Sequence, residues 1–87
     1  MSALYPLLAT ALVSAAIASP KCTPIAPAGW MPVTAFQQKL KQEGYQVHKI
    51  KATHSCYEIY GRDKAGKKVK VYFNPVNGSV VKTKVAH

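Results

Sequence analysis

The hydrophobic period of the chain changes at Gly44, and that change constrains the fold more than any other feature. After it, the runs Tyr45 to Ala52, Cys56 to Arg62, Lys67 to Phe73 and Ser79 to Val85 read with a period near two, that of half-buried β-strands. The spacers Thr53-His54-Ser55, Asp63-Lys64-Ala65-Gly66 and Asn74-Pro75-Val76-Asn77-Gly78 are short and rich in turn formers. Connections this short join antiparallel neighbours, so the expected arrangement is a four-stranded meander.

Before Gly44 the period is helical. Phe36 and Leu40, four apart, share a face near Val33, while Lys39, Lys41, Gln42 and Glu43 are left to solvent. Thr34 and Gln37 have the spacing of a capping box, and Gly44 supplies a left-handed stop. One short helix is expected over residues 34–43. The fold class is therefore α+β, with this helix packed on a four-stranded antiparallel sheet.

Parity assigns the faces. Val69, Val71 and Phe73 meet the helix with Tyr57 and Ile59; Lys68, Lys70 and Tyr72 point away with Cys56, Glu58 and Tyr60. Val47 and Ile50 are out of phase, which predicts a bulge or a strand end between them.

The N-terminal third has a different composition. Ala3 to Ala18 is an uncharged apolar run ending in Ala16-Ile17-Ala18, the hydrophobic region and cleavage pattern of a secretory signal peptide, although no Lys or Arg precedes it. Residues 1–18 are expected to be removed on export to the periplasm or the exterior. Residues 19–32, with four prolines, are expected to run extended, and residues 33–87 to form the domain. Cys22 and Cys56, the only cysteines, are expected to pair in an oxidising compartment, worth about 3 to 4 kcal/mol to so small a domain. Trp30, next to the helix start, is expected to cap the core.

Twelve Lys and Arg against three acids make a net charge of +9. Lys68, Lys70, Lys82 and Lys84 are candidate anion-binding residues, with Tyr60 and Tyr72 as candidate aromatic contacts. A five-residue last turn would set Lys70 opposite Lys82 and Lys68 opposite Lys84. A four-residue turn would set Phe73 opposite Val80, and Lys82 would then need a bulge to stay off the core side. Arg62 is the one arginine, and arginine makes forked phosphate contacts; with export, this argues against nucleic acid. The same lysines would also serve a solvated face that blunts sheet edges.

Sites for chemistry are sparse. His48 and His54 are the candidate metal ligands, with Glu58 nearby in sequence, but they lack the spacing of a local metal pair. Ser55 and Ser79 have no matched His and Asp, and the three acids form no evident pair. No enzyme activity and no cofactor are expected. Glu58 is expected to make a surface ion pair with lysines across the sheet.

Residues 30–84 resemble the PepSY superfamily, in particular small exported proteins with a single PepSY-like domain. The resemblance rests on Trp30-Met31-Pro32, Gly44-Tyr45-Gln46-Val47, Cys56-Tyr57-Glu58-Ile59-Tyr60, Asp63-Lys64-Ala65-Gly66-Lys67 and, above all, Tyr72-Phe73-Asn74-Pro75-Val76-Asn77-Gly78-Ser79-Val80-Val81. Asn74 stands where the family usually has Asp, and Asn77 where it has Thr; both keep turn chemistry.

The resemblance implies a noncatalytic module, found in propeptides of secreted peptidases and in envelope proteins that regulate or sense. The expected function is a binding module, monomeric, acting on a protein partner in the cell envelope such as a peptidase or a sensor. A polyanion or anionic-membrane binder using the lysine face is the alternative, and an envelope metal binder the second alternative.

Overall fold

The computed structural model describes residues 20–85. The expected signal segment, residues 1–18, lies outside them. Helix α1 (Val33–Gln42) is followed by strands β1 (Gln46–Ala52), β2 (Tyr57–Arg62), β3 (Lys68–Phe73) and β4 (Val80–Val85). The strands form one antiparallel sheet in the order β1-β2-β3-β4, the α+β meander that the periods predict. Each strand starts one residue later than its sequence run, because Tyr45, Cys56, Lys67 and Ser79 belong to the turns.

Helix α1 begins one residue earlier than expected. Pro32 is its N-cap, no side chain caps it, and the first bond runs from Phe36 N to Pro32 O at 3.0 Å. Thr34 therefore lies inside the first turn, where its hydroxyl cannot act as a cap, and the capping box with Gln37 does not form. At the other end Gly44 takes φ 91°, and Tyr45 N returns to Leu40 O at 3.0 Å, closing the helix in the way a glycine allows.

The core lies between α1 and the middle strands. Phe36 and Leu40 are fully buried against Tyr57, Ile59, Val69, Val71 and Phe73, the side that parity assigned. Phe36 sits 4.7 Å from Tyr57 and 5.0 Å from Phe73 between ring centroids, so one helical aromatic bridges β2 and β3. Trp30 closes the end of this stack edge-on to Tyr57 at 5.4 Å, and its Nε1 donates to Ile25 O at 2.8 Å.

The predicted irregularity in β1 is a bulge. The register shifts between Val47 and Lys49, with Val47 opposite Gly61 and Lys49 opposite Tyr60. Gly61 is required there, since a Cβ would meet the Gln46 carbonyl oxygen at 2.0 Å.

The Pro-rich segment is tied to the turn before β2 and packs on Tyr72, and it is not extended throughout. Pro27–Gly29 form one 3-10 turn, closed by Trp30 N to Pro27 O at 3.0 Å; proline's fixed φ suits its first position. The segment is held by the Cys22–Cys56 disulfide, which spans 34 residues, and by Cys22 N donating to Ser55 Oγ at 3.2 Å. Past Trp30 it is held again at Met31, whose N–H donates to Pro75 O at 2.8 Å and whose carbonyl accepts from Tyr57 Oη at 2.7 Å.

The last hairpin follows neither simple register. Asn74 N donates to Ser79 O at 2.8 Å, and Phe73 stands opposite Val80, as in the shorter-turn alternative. A bulge at Val81 then resets the phase, so that Tyr72 faces Lys82 and Lys70 faces Lys84. Asn74 Oδ1 accepts from Val76 N and Asn77 Oδ1 from Ser79 N, both at 2.9 Å. These are the local turn bonds for which an Asn can replace Asp or Thr.

Candidate functional site

Cross-strand pairing turns the outer face of the sheet into rows. Lys49, Tyr60, Lys70 and Lys84 form one row across the four strands, and Lys51, Glu58, Tyr72 and Lys82 form the next. Lys68 stands opposite Arg62 at one end. Strand pitch and strand spacing thus gather seven cations on one surface, with Glu58 its single carboxylate.

The four lysines expected on this face are there, but their partners differ from the expected ones. Lys70 faces Lys84 instead of Lys82, because the Val81 bulge inserts one residue into β4. Lys82 faces Tyr72, and Lys68 has its cross-strand neighbour on β2.

At the centre sits a compact polar cluster. Glu58 is only 3% exposed; its carboxylate lies 3.6 Å from the Lys70 ammonium and accepts from Tyr60 Oη at 2.8 Å. The pair expected at the surface thus has a buried carboxylate and a partly open lysine, and both rings beside it are stacked by cations. Lys70 Nζ lies 5.3 Å from the centroids of Tyr60 and Tyr72, and Lys49 Nζ 5.9 Å from that of Tyr60. Contacts with the side chains of Tyr72 and then Tyr60 hold the Lys70 ammonium above its ordinary range, and Glu58 adds to the effect.

Tyr72 is buried against the Cys22–Cys56 disulfide, so its ring is not offered to a ligand, whereas Tyr60 is partly open. Lys49 and Lys51 belong to the face but were missed in the sequence. Their alternation with Ile50 was the available signal, obscured by the phase change at His48.

His48 sits exposed in the β1 bulge and His54 exposed in the turn after β1. Among the described residues, no three His, Cys, Asp or Glu side chains cluster closely enough to hold a metal ion.

A second concave feature lies on the other side of the sheet. The helical stripe Val33, Gln37 and Lys41 and the strand residues Val47, Ile50 and Ala52 line a groove between α1 and the β1 edge. Tyr45 and Tyr57 close it.

Among the described residues, no helix is long and apolar enough to cross a membrane. No curated protein and no solved structure matches the chain. One family model does, that of the PepSY type described as the peptidase propeptide and YPEB domain, over residues 3–84. Domains of this family are generally noncatalytic, propeptide-like regulatory modules related to peptidases, and are typically extracellular or periplasmic. The match takes in nearly the whole chain, with the helix, three strands and all but the last residue of β4, and the chain belongs to the PepSY family of peptidase propeptide and YPEB domains.

Proposed function

We propose that the protein is an exported, noncatalytic module that regulates a peptidase of the cell envelope by binding it. The family match over residues 3–84 carries this reading. A rigid, disulfide-tied sheet with a strongly basic face also suits a binder of acidic surfaces. In this proposal residues 1–18 are an export signal, residues 19–32 the strap, and residues 33–87 the binding domain, with the monomer as the acting species.

The test adds the purified chain to envelope extracts whose peptidase activities have been separated by class-specific inhibitors. One activity should change and saturate at a stoichiometric amount of the chain. If every activity is unaffected, the proposal fails. Intact mass of the exported protein tests cleavage after Ala18.

A second reading is favoured by one observation, the two cross-strand rows. Lys49, Lys51, Lys68, Lys70, Lys82 and Lys84 on one face of the sheet suit an anionic bilayer or polyanion, at roughly 1 kcal/mol per lysine near a charged membrane. Co-sedimentation with phosphatidylglycerol vesicles should fall steeply with salt and with Lys49, Lys51, Lys82 and Lys84 changed to Gln. Binding indifferent to both would remove this reading.

A further inference from the structure

We infer that the groove between α1 and the free edge of β1 is a docking site for an extended segment of a protein partner, one that alternates apolar and acidic residues. The inference rests on the proposed role as a protein-binding regulator and names the surface and the chemistry of what it takes.

Strand β1 pairs only with β2, so among the described residues its other edge presents unpaired backbone N–H and C=O groups. A strand added there would satisfy them, as in β-strand addition generally. Beside this edge stands a wall. Val33, Gln37 and Lys41, spaced by four, form a stripe of α1 that the core does not use, since Phe36 and Leu40 carry the packing.

The floor is apolar. Val47, Ile50 and Ala52 continue the inner face next to Gly61, Ile59 and Tyr57, and Val33 and Val47 remain 42% and 37% exposed. An added strand would lie about 4.8 Å from β1. Every second side chain would then rest on this floor and against the helix stripe.

The intervening side chains would lie on the outer face beside Lys49 and Lys51. The basic groups that line the groove are Lys41, His48 and Lys49, its other ionisable groups are the phenols of Tyr45 and Tyr57, and no carboxylate lines it. Period two and this charge together define the occupant: apolar inward, acidic outward.

A second copy of the chain does not fit. Self-pairing of β1 would set Lys49, Lys51 and His48 near their own copies, and like charges opposed across strands are destabilising. Residues 1–19 contain no acidic side chain and do not match the pattern either. Strand β4 is also an edge with exposed Val80 and Val85, but α1 builds no wall beside it.

The test titrates the 15N-labelled full chain with the capped octapeptide Asp-Val-Asp-Val-Asp-Val-Asp-Val. Amide shifts should appear at Val33 to Lys41 and Val47 to Ala52 and stay at background over Val80 to Val85. A peptide of the same composition with four Asp followed by four Val should bind at least about fivefold more weakly, because it cannot place acids and valines on opposite faces. Lys49→Gln with Lys51→Gln should weaken binding roughly tenfold. Both lysines are exposed and the neutral amides set no like charge opposite Glu58, so that variant keeps its fold; Val47→Asp, also at an exposed position, should block the floor.

Shifts confined to β4 or the outer lysine rows, equal binding of the blocked-order peptide, or no shift at millimolar peptide would each overturn the site. Shifts in β1 that grow with protein concentration alone would also overturn it, in favour of self-pairing. If the chain regulates a peptidase but ignores the peptide, the groove falls and the parent proposal stands. If the peptide docks at β1 while every peptidase is unaffected, the groove stands and the parent proposal falls.

Discussion

The Lys70 ammonium lies 3.6 Å from the Glu58 carboxylate, on a face where Glu58 is the only negative side chain among seven cations. Glu58 is buried and Lys70 is partly open, so the pair is asymmetric. Removing the carboxylate strands the neighbouring cations; removing the lysine leaves a buried charge with Tyr60 Oη as its remaining close partner.

Glu58→Gln should therefore cost about 1 to 3 kcal/mol in urea unfolding, since the amide keeps an acceptor for Tyr60 but loses the charge. A double-mutant cycle with Lys70→Met should show positive coupling. Strictly additive effects would mean that the contact carries no net stability.

Breaking the Cys22–Cys56 link should lower stability by about 3 to 4 kcal/mol, from the chain entropy of a loop of this length. Cys22→Ala with Cys56→Ala should also raise hydrogen exchange near Tyr72, which the disulfide covers. An unchanged urea midpoint would show that the hydrogen bonds at Ser55 and Met31 hold the strap without the covalent link.

Gly61→Ala should destabilise by more than about 2 kcal/mol, because the new methyl would press on the Gln46 carbonyl, a backbone atom that cannot swing aside as a side chain would. The damage should be local, so hydrogen exchange should accelerate in β1 before β3. Uniform acceleration would point instead to loss of the whole sheet.

Alkaline pH should unfold the protein through two groups. Burial, then Glu43 and Asp63, raise the Tyr45 phenol above its usual 10.0, and tyrosine contacts raise Lys70 above its usual 10.5. Both folded-state values lie above their unfolded ones, so both contributions are complete below about pH 10 and are lost as pH climbs through the folded values. Tyr45→Phe and Lys70→Met should each flatten this alkaline loss in a pH series of urea midpoints. An unchanged slope in both would remove the assignment.

Much of the fold was legible because strand parity is a local code. Val69, Val71 and Phe73 faced the core as their alternation required, and Gly44 stopped the helix by the one conformation that glycine takes cheaply. The helix start was misjudged because Pro32 set it one residue early, and Thr34 could then not cap. The burial of Tyr72 and Glu58 was not legible, since Cys22, far away in the chain, packs on Tyr72, and Glu58 is enclosed by its cross-strand neighbours Lys51 and Tyr72 with Tyr60 and Lys70.

By itself the sequence determined the element types, the single possible disulfide, the turn chemistry of Asn74 and Asn77 and the excess of positive charge. These follow from period, count and local hydrogen bonding. Tertiary structure decided which lysines stand together. Two bulges, at His48 and Val81, each shift one strand by one residue, and such a shift exchanges the neighbours of every side chain beyond it. The Lys70–Lys84 pairing, the place of Lys49 and Lys51 in the rows, and the groove beside β1 all depend on strand partners far apart in the chain, which no local pattern specifies.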